Sequence, residues 1–342
     1  FAAPNGIMQV VLTEGEVGET RIEGNEHFSD EQIRRQTRAG QGGAVNVADL
    51  QQDAQWLSRN PFRQVEPLYE EGSGRGLTDV TFKVNDRRPW RVYNGYNNAG
   101  NALTSDDRIF WGAQHGDLWG ADHRASLRYT TEHTFNRLHA LSGSYTLPLP
   151  WRHELSLRAS YSRSNADFRT GGFNLNTEGQ STSAEVLYTV PMSAPTELPE
   201  LEHNFQLGFD FTRSNNSLET GTVRLSETTT ETIQFVSRYT ITLPDEYGKT
   251  EAELALYLSP GELSGRNEDG VFREAGAGNS QYVYLRGNLS RETDLFGGMS
   301  WESDAAIQLS STALLGGQQF GIGGIGSVRG YDNREVNGEF GF

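Results

Sequence analysis

The chain of 342 residues is acidic and contains no cysteine, with 45 Asp and Glu against 29 Lys and Arg and a formal net charge of −16. The negative charge argues against a general nucleic-acid-binding protein, which needs a basic face. The lack of cysteine excludes disulfides, thiolate metal sites and cysteine nucleophiles. The apolar runs are far shorter than the roughly 20 residues of a transmembrane helix. The 39 glycines and 11% aromatic residues disfavour a disordered acidic chain, and the length suggests about two domains.

Helical periodicity is confined to the first part of the chain. A short helix is predicted over residues 30–36, after Ser29 as N-cap. A second helix is predicted from Val47 to Asn60, with apolar residues three and four apart and Asn46 as its cap. Flanking strands are predicted at residues 6–12, 19–22, 64–70 and 77–84. The order β-α-α-β-β predicts a small α+β module over residues 13–86.

After Pro89 the pattern changes to alternation of apolar and polar residues. About a dozen segments show it, each with one apolar and one polar face. In the clearest, residues 203–212, the apolar set is Phe205, Leu207, Phe209 and Phe211. Short connections that contain proline alternate with long polar ones, which are predicted at residues 167–176 and 260–279. This asymmetry is typical of a transmembrane antiparallel β-barrel, here over residues 87–342.

A soluble β-sandwich would also alternate. However, its connections would be less asymmetric, and its core would need bulkier residues from two facing sheets. The predicted strands are long enough to cross a bilayer at a tilt, which takes about 9 to 11 residues. Tryptophans lie near the predicted strand ends, where interfacial girdles form; they are Trp90, Trp111, Trp119, Trp151 and Trp301. These features favour the membrane barrel.

No catalytic, cofactor or metal site is predicted. Residues 321–326 match G-x-G-x-x-G, but no helical pattern follows, so a glycine-rich loop is favoured over a nucleotide site. The seven histidines lack metal-ligand spacing, and no G-x-S-x-G elbow is present. The sequence therefore favours a protein that is not an enzyme and has no nucleotide or nucleic-acid partner.

The most informative segment is Val328-Arg329-Gly330-Tyr331, which follows about eleven predicted strands in a glycine-rich loop. Taken alone, it could be a solvated loop. In this position it resembles the V-R-G-[FY] motif of the two-partner secretion transporters, the haemolysin-activator type of outer-membrane pore within the barrel-assembly superfamily. Residues 60–65 and 76–80 are similar to the end of that family's polypeptide-transport-associated (POTRA) module, residues 86–93 to its junction with the barrel, and residues 96–100 to the end of the first barrel strand.

The resemblance implies a location and a strand number. The barrel would lie in the bacterial outer membrane, in contact with lipid, and the POTRA module would lie in the periplasm. The family barrel has sixteen strands, of which about twelve would be present, with residues 338–342 in the twelfth. The resemblance also implies that residues 1–12 end with the last strand of an upstream module. The motif loop would fold into the pore, where Arg329 would meet an acidic residue of a later strand.

The resemblance implies export of a large secreted partner polypeptide through the pore. The partner would arrive unfolded and add a strand to an exposed sheet edge of the module. Candidate contacts are Gln64, Val65, Glu66 and Leu68, with Trp56 as another unless it lies in the module core. The alternative function is a barrel-assembly insertase or a surface-antigen-like relative, which usually carries more modules. A porin would not need the module, and a barrel enzyme would need a catalytic group at the lipid interface.

Overall fold

A computed structural model describes residues 15–38, 42–101, 104–170, 172–195, 197–198, 200–220, 223–324, 326–331 and 334–342. The chain divides into two compact units. The first contains Phe1–Trp90 and His115–His123, and the second contains Arg91–Gln114 and Arg124–Phe342. The strand predicted at residues 6–12, and with it the assignment of residues 1–12 to an upstream module, lies outside the described residues.

The first unit has the predicted β-α-α-β-β order. Its elements are β1 (Glu16–Glu23), α1 (Asp30–Arg34), α2 (Val47–Ser58), β2 (Arg63–Glu71) and β3 (Leu77–Asp86). The central strand β3 pairs in parallel with β1 and antiparallel with β2. Both predicted N-caps are confirmed, because the Ser29 side chain accepts from the Gln32 N–H and the Asn46 side chain accepts from the first turn of α2. Each helix ends two residues earlier than predicted.

The core of this unit lies between the two helices and one face of the sheet. It contains Phe28, Ile33, Leu50, Ala54, Leu57, Val80 and Phe82, all buried. Burying one large side chain of this kind contributes about 1.5 to 3 kcal/mol. Val47, predicted to lie on the apolar face of α2, is instead exposed because it opens the first turn.

The second unit is one antiparallel sheet of eleven strands in sequential order, from β4 to β14. The strands are β4 (Trp90–Asn97), β5 (Arg108–Leu118), β6 (His123–Thr131), β7 (Leu138–Pro148), β8 (Glu154–Thr170), β9 (Phe173–Met192), β10 (Glu202–Thr220), β11 (Val223–Asp245), β12 (Gly248–Pro260), β13 (Gln281–Asp294) and β14 (Ser300–Ser310). The sheet is not closed within the described residues. None of the described helices is long and apolar enough to cross a membrane.

The two faces of this sheet differ in composition, as the alternation predicts. Leu207 on β10 and Leu254 on β12 belong to the apolar face and are 52% and 50% exposed. In a β-sandwich a second layer of structure would cover such residues. Their exposure therefore disfavours the sandwich and fits a face that contacts lipid.

Two predicted connections are revised. Residues 167–176, predicted as a long polar loop, instead lie mainly in β8 and β9, which stay paired up to Thr170 and Phe173. These strands extend beyond the clear alternating pattern because residues 162–165 and 176–183, on either side, carry polar residues or glycine on both faces. The connection at residues 261–280 contains a helix that was not predicted, α3 (Asp269–Glu274), which has no side-chain cap.

The last segment forms a hairpin beside the large sheet. Strand β15 (Phe320–Ile322) pairs antiparallel with β16 (Val336–Gly338). Residues 338–342 were expected in a twelfth strand. Instead Gly338 ends β16, and the contacts with β14 are an isolated bridge between Gly341 and Gln308 and a hydrogen bond from the Gln308 amide to the Glu339 carbonyl. The described part of the large sheet thus has eleven strands rather than about twelve.

Candidate functional site

The predicted motif lies at the tip of the β15–β16 hairpin. Val328, Arg329, Gly330 and Tyr331 are all exposed in the segment that joins the two strands. Gly330 has a φ of 96° and Gly323 one of 115°, which glycine adopts at low steric cost where the chain reverses. Within the described residues, the Arg329 side chain makes no ion pair or hydrogen bond. The motif therefore lies in the connection between β15 and β16, while its position inside a pore and the anchoring role of Arg329 stay predictions.

The hairpin lies over the polar face of the large sheet. Phe320, Ile322 and Val328 line a cavity of about 790 Å³ whose other wall includes Thr240, Glu253 and Asn288, which are polar-face residues of β11, β12 and β13. Thr240, Glu253 and Asn288 are register partners and point to the same side of the sheet as the other polar side chains. Val328 of the motif therefore lies against the polar face, which the alternating pattern predicts to line the lumen.

Three residues fix the base of the hairpin, and the sequence did not identify any of them. Arg286 Nη2 donates to the carbonyl of Gln318 at 2.7 Å. Gln308, fully buried, donates to the same carbonyl at 3.1 Å. Arg334 Nη2 donates to the carbonyls of Gly316 and Gln319 at 2.7 and 2.8 Å. The only available signal was that Arg286 and Gln308 lie on the polar face, where they are register partners.

An aromatic cluster interrupts the polar face near its loop end. Its members are Phe272 of α3, Tyr282 and Tyr284 of β13, and Leu314, with Tyr257 and Leu315 packed against them. Phe272 and Leu314 are each 1% exposed. The tyrosine hydroxyls meet the buried amide of Gln234, which donates to Tyr282 at 2.7 Å and accepts from Tyr284 at 3.3 Å. This cluster packs the long β12–β13 connection against Leu314 and Leu315, which lie just before the hairpin that carries the motif.

Paired charges cross the middle of the polar face. Arg158 on β8 lies 2.9 Å from Glu185 on β9, and Arg238 on β11 lies 3.4 Å from the same carboxylate. Arg238 is also 3.6 Å from Glu253 on β12. Arginines of β8 and β11 thus pair with carboxylates of β9 and β12, while Asp210 of β10 lies opposite Glu185 as a further acid.

Tyrosines and histidines pair near the turn ends of the strands. Tyr188 OH accepts from Trp151 Nε1 at 2.8 Å and contacts His153 Nδ1 at 2.5 Å. His203 Nδ1 and Tyr239 OH are 2.7 Å apart. Amphipathic aromatic rings form the girdles at membrane interfaces, and these histidines are local partners of the tyrosine hydroxyls.

The outer edge of β2 is open along only half of its length. Both backbone polar groups of Val65 point away from β3 and are hydrogen-bonded to the Ser58 hydroxyl, at 2.9 and 3.3 Å. Alternate residues share this direction, so Pro67, Tyr69 and Glu71 also point outward. Pro67 has no N–H to offer. Within the described part of the chain, the backbone groups left free are therefore the Pro67 carbonyl and the N–H and C=O groups of Tyr69 and Glu71.

The other candidate contacts of the small domain divide into exposed and buried side chains. Gln64, Glu66 and Leu68 are exposed on the face of the sheet that the helices leave uncovered. Val65 is buried in the core, and Trp56 is 7% exposed with its ring N–H donating to Gln36 at 2.9 Å. Burial of Trp56 leaves little of its indole surface for a partner.

The opposite edge of this sheet is covered at its start. The Val17 N–H donates to the carbonyl of Gly43 at 2.7 Å, and the Gly42 N–H donates to the carbonyl of Val17 at 2.8 Å. The carbonyl of Thr20 accepts from Arg34 Nη1 at 3.1 Å. The end of β2 is therefore the more accessible edge for strand addition.

Two buried carboxylates hold the small domain together. Asp122, in the β5–β6 turn that belongs to this unit, accepts from Arg63 at 2.9 Å and Asn60 at 2.5 Å. Asp86 accepts from the backbone N–H groups of residues 26–28 at 3.0 to 3.2 Å. Burial alone would raise the pKa of Asp86, but hydrogen bonds from the His27 backbone and ring, and from the two neighbouring N–H groups, outweigh it and lower the pKa.

These features define a class of protein. A large antiparallel sheet with an exposed apolar face, a polar opposite face and aromatic girdles is the wall of an outer-membrane β-barrel. The small β-α-α-β-β domain precedes it in the chain. A POTRA family model, described as surface antigen variable number repeat, matches residues 15–87, which identifies this domain. The predicted fold is confirmed.

The family follows from the rest of the chain. The model described as haemolysin secretion/activation protein ShlB/FhaC/HecB matches residues 76–342. The protein belongs to this family of outer-membrane transporters, as the sequence resemblance predicted, and its POTRA module is periplasmic. Comparison with curated protein sequences gave no significant match.

Solved structures agree on the fold. CdiB from Escherichia coli is 17% identical with a TM-score of 0.81, over 96% of this chain and 60% of CdiB. CdiB from Acinetobacter baumannii is 14% identical with a TM-score of 0.69, over 96% and 59%. BamA from Haemophilus ducreyi lacking POTRA domains 1–3 is 16% identical with a TM-score of 0.52, over 94% and 61%. The chain therefore spans about 60% of the length of the solved CdiB structure from Escherichia coli.

Proposed function

We propose that this protein exports a secreted partner polypeptide across the outer membrane. Membership of a transporter family supports the proposal. The observation that carries it is the hairpin with the family motif, which lies over a polar sheet face that a polypeptide could follow. No nucleotide is needed in this scheme, since folding of the partner outside the cell could make its exit irreversible.

The partner would first bind the periplasmic module by adding a strand to β2. Backbone hydrogen bonds to a sheet edge do not depend on the partner sequence, which suits an unfolded chain. We place the backbone contacts further along β2 than the sequence suggested, because the Ser58 hydroxyl already binds the outward-facing backbone groups of Val65. The Tyr69–Glu71 end supplies the backbone groups, and the exposed side chains of Leu68 and Glu66 lie beside it on the open face.

A single substitution can test the edge without breaking the sheet. Tyr69→Pro removes an N–H that points away from β3, so the β2–β3 ladder stays intact, and proline is tolerated at such edge positions. The matched control is Tyr69→Ala, which loses the side chain but keeps the N–H. We expect secretion by the full-length transporter to fall with Tyr69→Pro and to be largely kept with Tyr69→Ala, at equal amounts of folded protein.

The outcomes separate capture from export. Equal secretion by the two variants would contradict strand addition at this edge and leave export untouched. The broader proposal is tested by deleting the transporter gene and comparing the culture media. If no polypeptide disappears from the medium of the deletion strain, the export function is wrong.

A further inference from the structure

The apolar face of the large sheet ends in a patch of polar side chains on β10 and β11. On β10 the apolar residues of this face end at Phe211, and the next residue that points the same way is Arg213. Arg213 lies opposite Glu231 of β11, just as Phe211 lies opposite Ile233. Two residues along a strand span roughly 6.6 Å, so the polar patch follows the apolar band directly.

The patch lies on the side of the membrane that faces the cell exterior. The module is periplasmic and precedes β4, so β4 begins at the periplasmic side. The strands from β4 to β14 follow one another in the antiparallel sheet, so β10 also runs outward and ends at the exterior. The β12–β13 connection lies on the same side. A patch directly beyond the apolar band on this side is at the level of the lipid headgroups of the outer leaflet.

Two arginines of the patch share one carboxylate. Arg213 Nη1 lies 3.9 Å, and Arg266 Nη1 of the β12–β13 connection 3.5 Å, from Oε1 of Glu231. The other oxygen of Glu231 accepts from the Ser264 hydroxyl at 2.7 Å. The two arginine side chains are 48% and 47% exposed, and in the described part of the chain neither guanidinium donates a hydrogen bond. Two positive charges thus meet one carboxylate, with their N–H groups open to a ligand.

A cavity of about 410 Å³ lies beside Arg213 on the same face. Its lining is polar and combines donors with acceptors, and it includes Glu178, Gln180, Thr182, Arg213, Asn215 and Glu227. Thr182 lies opposite Arg213, and Gln180 lies opposite Asn215. Amides and hydroxyls can donate to or accept from a sugar hydroxyl, and a carboxylate can accept from one. The cavity therefore suits a saccharide better than an acyl chain.

We propose that this patch binds the phosphorylated sugar headgroup of a glycolipid of the outer leaflet. Arg213 and Arg266 bind a phosphate, because a guanidinium matches phosphate oxygens with two parallel hydrogen bonds. Gln180, Asn215 and Glu227 bind hydroxyls of the sugar that carries it. The acyl chains of the same lipid lie along the apolar band beyond Phe211.

The combination of groups determines the choice of ligand. A phosphate alone would leave the polar cavity unfilled, and an uncharged sugar would leave the arginine pair unused. A water-soluble sugar phosphate would gain nothing from the apolar band that adjoins the patch. A phosphorylated glycolipid matches all three features. This lipid site does not depend on the proposed export function.

The test is a binding titration of the full-length transporter in detergent, followed by native mass spectrometry. The probe is the purified phosphorylated glucosamine lipid that anchors lipopolysaccharide in the membrane. Phosphatidylglycerol, which is anionic but lacks this sugar headgroup, is the second probe. The variant is Arg213→Ala. The matched control is Arg291→Ala, because Arg291 points to the same face but pairs with Asp245 at the periplasmic end, at 2.5 Å.

We expect Arg213→Ala to weaken glycolipid binding about tenfold, the effect of losing roughly 1.4 kcal/mol, and Arg291→Ala to leave it unchanged. Arg213→Lys should give a smaller loss, because it keeps the charge without the fork, and it allows the test if Arg213→Ala does not fold. Phosphatidylglycerol binding should change little in all three variants. Equal weakening by Arg213→Ala and Arg291→Ala, or equal weakening of both lipids by Arg213→Ala, would overturn the proposal.

Discussion

The buried ion pair between Arg63 and Asp122 allows a quantitative test of what holds the small domain together. The Arg63 side chain is fully buried, and its Nη2 donates to Asp122 at 2.9 Å. Asn60 donates to the same carboxylate, and Arg63 Nε donates to the carbonyl of Leu57 at 2.9 Å. Removing one partner leaves the other charge buried and uncompensated, which costs about 3 to 5 kcal/mol.

We therefore expect Asp122→Asn to lower the free energy of local unfolding of this domain by about 3 kcal/mol. Asparagine is the appropriate replacement, since Asp122 has a φ of 61° and asparagine tolerates this left-handed conformation. Its amide keeps the size of the side chain but presents N–H groups to donors that faced a carboxylate. Arg63→Met combined with Asp122→Asn should be less destabilised than Asp122→Asn alone, because the double variant contains no unpaired buried charge.

The measurement is hydrogen exchange of the backbone amides of α2 and β3 in the full chain, folded in lipid. Arg35→Met is the control, since Arg35 pairs with Glu31 on the exposed surface. Such exposed pairs contribute about 0 to 1 kcal/mol. A loss within that range for Asp122→Asn, or a double variant less stable than the single one, would refute the reasoning.

Three further predictions concern the membrane face, the motif and acid stability. Leu207→Arg places a charge on the lipid face and should cost about 2 to 4 kcal/mol, so its folding yield in lipid should fall below that of Gln206→Arg on the polar face; equal yields would contradict the orientation. Arg329→Ala in the full-length transporter should leave the barrel folded but reduce secretion, with partial rescue by Arg329→Lys, because lysine lacks the bidentate fork; normal secretion would make Arg329 a solvated loop residue. The pKa of Asp86 is lower in the folded than in the unfolded domain, so its ionised form stabilises the domain above the unfolded-state pKa, and this stabilisation is lost as pH falls through the folded-state pKa. Hydrogen exchange corrected for intrinsic rates should therefore show a smaller loss of stability in acid for Asp86→Asn than for the unmodified protein, and an equal loss would exclude this cause.

Local patterns were sufficient to predict most of the fold. The period of two separated the exposed apolar face of the large sheet from its polar face, and the capping residues Ser29 and Asn46 marked both helix starts. The sequence also placed Val328–Tyr331 at a loop tip, because the surrounding glycines indicate a chain reversal.

The features that the sequence could not supply depend on distant contacts. Helix α3 has no capping side chain, and Phe272 is buried only because Tyr282 and Leu314 pack against it. The closed half of the β2 edge depends on Ser58, which reaches Val65 from the end of another element. The sequence did contain one indication that β2 lies at an edge of the sheet. Proline within a strand occurs where the backbone N–H would face away from the neighbouring strand, and Pro67 is such a residue.

The short open edge of β2 limits how strongly the module can retain any strand. About five hydrogen bonds are available, and each contributes about 0.5 to 1.5 kcal/mol net. Association itself costs an estimated 4 to 15 kcal/mol or more. A strand bound only there would dissociate quickly, and retention would require further contacts or a high local concentration. Release into the pore would then need no energy source, since a weakly held chain leaves the module by thermal motion.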